Sequence, residues 1–585
     1  MKFTRKAISL ILVMVLVLAL MAGCGSGNTE TSQSAKAPET SSESPATSAP
    51  SSSESAEPAN ETEPSEEPAA VTYPLTDGET VELTMWLENN GKAPTFEPID
   101  DISYYKGSLE YVENATGVKV DYQTVAGEAA AELFGAMMAS GDWCDMIAHA
   151  IKYYPGGLSA AYQQDFIIDL SEHIQEWSPN YYAMITSSGD AWAGTTLDDG
   201  EIVGYYTFRD VPLATWGLGI RSDWLENLNI SVPETIDEMH DVLAAFKTEY
   251  DCKSPLLLTN MSQPGYGIVS AFGVPGFQAE GMDAHTHLFL TDDGKVSSSF
   301  IEDGYRDYLS TMHQWLTEGL ISSDFTSVNW MPFDMSNMND IINGEAGIFY
   351  TTANMIPDYA ASAEEGFAAA GIADPTLEKG DITHFTNTRG YNVDQSLSIS
   401  SSCAEENIEY AMKWIDWWYG EDGINLKNYG EQGVAWEYND AGEPEFTEII
   451  TKSEHLDRFS ATQITTAFVL SSAIPCGENL EKRLYCFYDD SIVASLDAWN
   501  TADGKNILPS ISLTPDENDQ ISQKLADVET YASENASAFI TGTRSIDEWD
   551  AFVEQVMSIG LSDVLETYQA ALDRFNAKVD AFNNK

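Results

Sequence analysis

Val81-Glu82-Leu83-Thr84-Met85-Trp86 decides how this chain folds. Val81, Leu83 and Met85 alternate with Glu82, Thr84 and Trp86, the period-two pattern of a strand with one face in a core. Val118, Val120 and Tyr122 repeat the pattern after a turn at Thr116-Gly117. Helical stretches lie between and beyond. In Pro233-Glu234-Thr235-Ile236-Asp237-Glu238 the pair Thr235 and Glu238 has capping-box spacing, and Met239, Val242, Leu243 and Phe246 then share one face. A second helix carries Tyr305, Tyr308, Leu309, Met312, Trp315 and Leu316 and ends at Gly319. A third opens with Ser402 and Glu405 and presents Ile408, Ala411, Met412, Ile415 and Tyr419. Strands mixed with amphipathic helices predict an α/β architecture, and aromatic stripes at helical spacing are core.

Upstream the chemistry changes. Lys2, Arg5 and Lys6 precede an apolar run from Ala7 to Ala22, which reads as a secretion signal over residues 1–23. Leu20-Met21-Ala22-Gly23-Cys24 resembles the bacterial lipobox, with Met21 in place of the usual Leu and Cys24 as the acylated residue. Residues 24–72 are rich in Ser, Glu, Ala, Pro and Thr and cannot bury a core, so they are expected to form a solvated stalk reaching about 40 Å by flexible-chain scaling. The globular body is expected over residues 73–585.

The net charge is −65, from 28 basic and 93 acidic residues. Such a field repels polyanions, so nucleic acid is excluded as a partner and contact with a membrane is expected through the lipid anchor only. Of the cysteines after Cys24, none forms a Cys-x-x-Cys pair, and Cys476 and Cys486 are close enough in sequence to close a small loop.

Several strings, in order along the body, resemble the extracellular solute-binding proteins of family 1. They begin with Val81 to Trp86 and Met138-Ala139-Ser140-Gly141-Asp142-Trp143-Cys144-Asp145-Met146-Ile147. Ile220-Arg221-Ser222-Asp223-Trp224-Leu225 with Pro233 and Thr235 follows, then Trp414-Ile415-Asp416-Trp417-Trp418-Tyr419 and Asn428-Tyr429-Gly430-Glu431-Gln432-Gly433. The tail, Tyr568-Gln569-Ala570-Ala571-Leu572-Asp573-Arg574-Phe575, resembles the large lipoprotein branch of that family. The resemblance implies a two-lobe periplasmic-binding-protein-like (type II) fold with interleaved lobes and a hinge cleft. It also implies a carbohydrate ligand, delivery to the permease subunits of an ABC transporter, and no cofactor. Large relatives carry a calcium loop where this chain has Thr248-Glu249-Tyr250-Asp251-Cys252-Lys253-Ser254-Pro255, too poor in oxygen ligands for that site, so no metal is expected there. A monomer is expected.

Ligands in open α/β sheets lie beyond the carboxyl ends of strands. That rule selects Trp86, Glu88 and Asn89, then Asp145, His149 and Tyr153, and Arg221; less directly it selects Phe272, Trp330, Arg389 and Tyr391. Trp436, in a glycine-rich segment, suits a cleft wall or a core plug equally. Aromatic rings pack the apolar faces of a sugar while planar polar groups bond its hydroxyl rim, so this mixture favours carbohydrate over a small apolar solute. Paired carboxylates would suit a glycoside hydrolase, but in so acidic a chain their presence discriminates nothing. No zinc-protease helix, nucleophile elbow or phosphate loop occurs, and a binding protein rather than an enzyme is expected. Asp283, His285 and His287 lie close together in sequence without a further histidine nearby.

Overall fold

The computed structural model describes residues 70–78, 81–89, 104–126, 129–211, 213–258, 267–276, 287–328, 335–353, 355–385, 391–452, 474–479 and 490–584. Of the sequence expectations, Cys24, Trp330, Arg389, Asp283, His285, Cys486 and the side chain of Asn89 lie outside them.

Strand β1 is Val81–Asn89 and β2 is Val118–Ala126, paired in parallel from Val81 opposite Val118 to Asn89 opposite Ala126. Leu83, Met85, Trp86 and Leu87 are all buried, so the second half of β1 is covered on both faces, whereas β2 keeps a solvated face. Parallel strands need covered faces, and the helix Ala130–Ser140 supplies part of that cover through Phe134.

The remaining strands are β3 (Met146–Ala148), β4 (Tyr205–Arg209), β5 (Trp216–Arg221), β6 (Ser254–Leu256), β7 (Leu288–Leu290), β8 (Val296–Ser298), β9 (Ala346–Thr352), β10 (Ala369–Ile372), β11 (Tyr391–Ile399), β12 (Trp436–Tyr438), β13 (Pro444–Phe446) and β14 (Gly477–Glu478). They build two principal sheets, ordered β14-β4-β11-β3-β1-β2 and β10-β5-β9-β6, and two small hairpins. Each principal sheet has its own hydrophobic core. The first gathers Met85, Ile147, Tyr205, Leu397 and Trp414; the second gathers Ile220, Phe246, Trp315, Ile348, Val528 and Phe552.

Chain order shows how these two lobes interleave. The chain builds β1 to β4 in the first sheet, crosses to build β5, β6, β9 and β10 in the second, and returns as β11. Strand β11 inserts antiparallel between β3 and β4, with Leu397 opposite both Ala148 and Tyr205 and a register shift between Asn392 and Ser396. After β14 the chain leaves again for the helices Asp490–Trp499, Pro515–Thr541, Trp549–Val556 and Ser562–Asn583, whose buried residues join the second lobe.

The helix readings carry over with adjusted ends. Ile236–Tyr250 buries Ile236, Met239, Val242, Leu243 and Phe246. Thr235 Oγ1 accepts from Glu238 N at 3.2 Å, but the Glu238 carboxylate reaches one residue further back, to Glu234 N at 2.8 Å. Asp303–Thr317 buries the expected aromatics, and Gly319 closes it with a φ of 70° that favours glycine. The third helix begins at Glu405 behind Ala404, which offers no side-chain cap; Ser402 instead belongs to the turn before it. Among the described residues no helix is long and apolar enough to cross a membrane. Cys144, Cys252 and Cys403 are free, buried thiols, and burial pushes Cys144 and Cys252 up to about 11 and Cys403 to about 12; Cys476 is buried as well.

Candidate functional site

In the first sheet β1, β2, β3, β4 and β14 all run one way, so their carboxyl ends share an edge with the amino end of the antiparallel β11. From that edge six residues carry the chain from Arg209 to Trp216, the start of the second sheet. The edge therefore faces the crossover, and the side chains standing on it form the candidate site.

Glu88 is its polar centre. Its carboxylate accepts from Lys152 Nζ at 2.9 Å and from the Tyr153 hydroxyl in a short hydrogen bond. Burial raises the Glu88 pKa, but Tyr153 and Lys152 outweigh that and hold it below the usual carboxylate range. Burial and the neighbouring Glu88 raise the Tyr153 phenol, so it stays a donor. Beneath them Trp86 packs edge-on against Phe134 at 5.1 Å and Tyr153 at 5.7 Å, an aromatic floor that fixes where Glu88 points.

His149 closes β3 with a φ of 56°, a left-handed conformation held by its N–H donating to Ser396 O at 2.7 Å. The bend starts the one-turn helix Ala150–Tyr153 that carries Lys152 and Tyr153 to Glu88. Tyr391, at the start of β11, donates its hydroxyl to Asp190 O at 3.1 Å and lies 5.9 Å from Phe208. Thus Trp86, Glu88, His149, Tyr153 and Tyr391 assemble at one edge.

Residues that the sequence reading did not select stand on the same edge and at the far end of the crossover. Arg209 ends β4 and pairs with Glu478 of β14 through Nε at 2.9 Å. Trp216 begins β5, half-buried, with its ring 6.4 Å from Tyr350. Arg209 was detectable as the residue after the apolar run Tyr205 to Phe208; Glu478 sits in a two-residue strand that leaves no periodic signal.

Other selected residues are elsewhere. Arg221 stands at the far edge of the second sheet, because β5 runs antiparallel to β9 and its carboxyl end points away from the crossover. Arg221 is 7% exposed, and its guanidinium grips both oxygens of Asp223 at 2.8 and 2.6 Å and lies over the rings of Trp224 and Phe367. Asp145 precedes β3 rather than following it, and one of its oxygens accepts from Thr84 N and Oγ1, both at 2.8 Å, tying β3 to β1. Trp436 is 1% exposed, donates Nε1 to Gly430 O at 2.8 Å and fills a small core with Tyr429, Phe446 and Ile450. Phe272 ends the short turn Ile268–Phe272 of the second lobe and packs on Tyr308 at 5.9 Å.

Among the described residues no three His, Cys, Asp or Glu side chains are grouped to hold a metal. In the 248–255 loop Lys253 pairs with Asp324 at 2.9 Å. His287 is buried between Ser298 Oγ at 2.9 Å and Glu529 Oε1 at 3.2 Å, stacked on Phe300.

No family model matches the chain. It is 23% identical over 537 residues to the fructooligosaccharide ABC transporter substrate-binding protein FusA of Streptococcus pneumoniae serotype 4 (strain ATCC BAA-334 / TIGR4), covering 87% of this chain and 92% of the relative. It is 25% identical over 362 residues to lipoprotein LipO of Bacillus subtilis (strain 168), covering 60% and 67% respectively. The crystal structure of alginate-binding protein AlgQ2 without calcium ion superposes with a TM-score of 0.63 at 23% identity, over 85% of this chain and 99% of that one. In its interleaved two-lobe fold and along most of its length the chain is thus similar to substrate-binding proteins of ABC transporters.

Proposed function

We propose that the protein captures an oligosaccharide between its two lobes and passes it, chemically unchanged, to the permease subunits of an ABC transporter. The observation that carries this reading is the convergence of Trp86, Glu88, His149, Tyr153 and Tyr391 on the one sheet edge from which the chain crosses to the second lobe. Glu88 supplies a charged acceptor and Tyr153 and Tyr391 supply rings and hydroxyls, the combination that a sugar's hydroxyl rim and apolar face require. FusA, which by its name binds fructooligosaccharide, and AlgQ2, which binds alginate, support a glycan as the ligand class.

Capture works by population shift. A ligand that touches both lobes only when they close binds the closed form more tightly and draws the protein toward it, and the closed shape is what a permease distinguishes from the empty receptor. The lipobox-like Leu20-Met21-Ala22-Gly23-Cys24 and the likeness to a protein named as a lipoprotein support an acylated Cys24 holding a monomeric body on the outer face of the cytoplasmic membrane, beyond a stalk of residues 24–72.

The test is a thermal-shift screen of the protein against neutral and acidic oligosaccharides, followed by recovery of the ligand. One class should raise the melting temperature by mass action and return unshortened. No shift with any glycan, or shortened chains after incubation, would overturn the reading.

A further inference from the structure

The C-terminal helix Ser562–Asn583 belongs to both lobes. Val564 and Leu572, in its first half, are buried in the core of the second lobe. Its second half lies on the helix Gly189–Thr195 of the first lobe, whose Ala191 joins that lobe's core.

The contact is close and polar at once. A Cβ built on Gly189 would stand 3.0 Å from Val579 Cγ1 and 3.2 Å from Val579 O, so the two backbones meet with no room for a side chain. Lys578 Nζ donates to Ala193 O at 2.8 Å and Thr196 O at 2.7 Å, satisfying carbonyls at the carboxyl end of the shorter helix. Trp192 stacks on Phe582 at 6.1 Å. One turn earlier, Arg574 joins the lobes through charge. Its Nε donates to Asp198 Oδ2 in the first lobe at 2.8 Å, and its two terminal nitrogens donate to Glu517 in the second at 2.7 Å each.

The shorter helix also reaches the candidate site. Tyr391 hydrogen-bonds Asp190 O, and its ring lies directly over Gly194. A side chain on the ligand edge and the interlobe contact therefore rest on the same seven-residue helix.

From this geometry we propose that the seat of the C-terminal helix on Gly189–Thr195 is the pivot about which the lobes turn, and that it couples Tyr391 to lobe orientation. Pulling this contact apart would expose a partly buried ammonium, two helix-terminal carbonyls and a stacked ring pair together, so rotation about it is preferred to separation. The proposal uses the hinge-closure reading above but is independent of the ligand's identity.

The experiment is an interlobe distance distribution by double electron–electron resonance on the full chain without ligand. Labels are attached through ketone-bearing residues replacing Glu132 and Glu249, which are exposed on the first and second lobes, so the native cysteines stay untouched. Gly189→Val wedges the two helices apart and should move the mean distance by more than about 2 Å, the scale of a domain rearrangement. Lys578→Met keeps the aliphatic stem, removes both hydrogen bonds and should broaden the distribution. If either variant has wild-type circular dichroism and both leave position and width unchanged, the pivot is wrong. Should Gly189→Val not fold, Lys578→Met alone decides. Because no sugar is present, failure of the glycan screen leaves this result standing, and an unchanged distribution leaves the glycan reading standing.

Discussion

Asp416 is carried on the helix Glu405–Trp417 yet completes a different one. Ser178, the N-cap of the helix Pro179–Ile185, turns its hydroxyl away to Tyr205 OH at 2.7 Å and Met412 O at 3.0 Å. Asp416 takes over, accepting from Tyr181 N at 2.9 Å and Asn180 Nδ2 at 2.8 Å with its side chain fully buried. Burial pushes its pKa up to about 7 despite those donors. Between about pH 4 and 7 the folded protein then keeps a proton that the unfolded chain has released, so this group's contribution to stability is largest below pH 4 and falls as the pH rises to 7. The change is of order 4 kcal/mol. Asp416→Asn keeps an acceptor for Tyr181 N without a proton to lose. Urea denaturation at pH 4.5, 5.5 and 7 should show a flatter pH dependence for this variant, and a slope equal to the wild type's would refute the assignment. At the candidate site, Glu88→Gln removes the charge while keeping the shape. If Glu88 accepts from sugar hydroxyls, calorimetry should show affinity lowered about tenfold or more, in line with the ~1.5–3 kcal/mol of a hydrogen bond to a charged group.

At the scale of elements, the helix Pro515–Thr541 is started by a full capping box. Thr514 Oγ1 accepts from Glu517 N at 3.3 Å, and Glu517 returns a bond to Thr514 N at 2.9 Å while also holding Arg574. Thr514→Ala should cost about 1 kcal/mol in equilibrium unfolding, and an unchanged midpoint would show that Arg574 alone keeps Glu517 in place. The helix readings succeeded where a single face meets a single core: Met239, Val242, Leu243 and Phe246 are buried as their spacing requires. Element ends were less legible, because they depend on partners distant in sequence. Asp416 capping a helix some 235 residues away leaves no local pattern at either place.

For the whole molecule, the order of sheet strands decides which residues can meet a ligand. The carboxyl-end rule selected Arg221 because β5 reads as a strand like any other; only its antiparallel pairing with β9 turns that end away from the crossover. The same rule selected Glu88, His149 and Tyr153, which do stand at or just beyond the carboxyl ends of the parallel strands β1 and β3. Membrane attachment belongs to this scale too. Cys24→Ser should move the protein from the membrane fraction to the medium on cell fractionation, since each buried methylene of an acyl chain contributes about 0.8 kcal/mol and this variant could carry none. Retention of the variant at the membrane would sink the anchor.

The α/β character, the buried faces of the helices and the family likeness can be read from the residues alone, because these rest on periodicity and short strings that each segment carries within itself. Strand direction came only with the tertiary structure, and with it the placing of Tyr391 and Arg209 on the sheet edge that carries Glu88, the burial of Trp436 and the internal pairing of Arg221. Such contacts join residues hundreds of positions apart, and no local pattern encodes which end of a strand its neighbours will share.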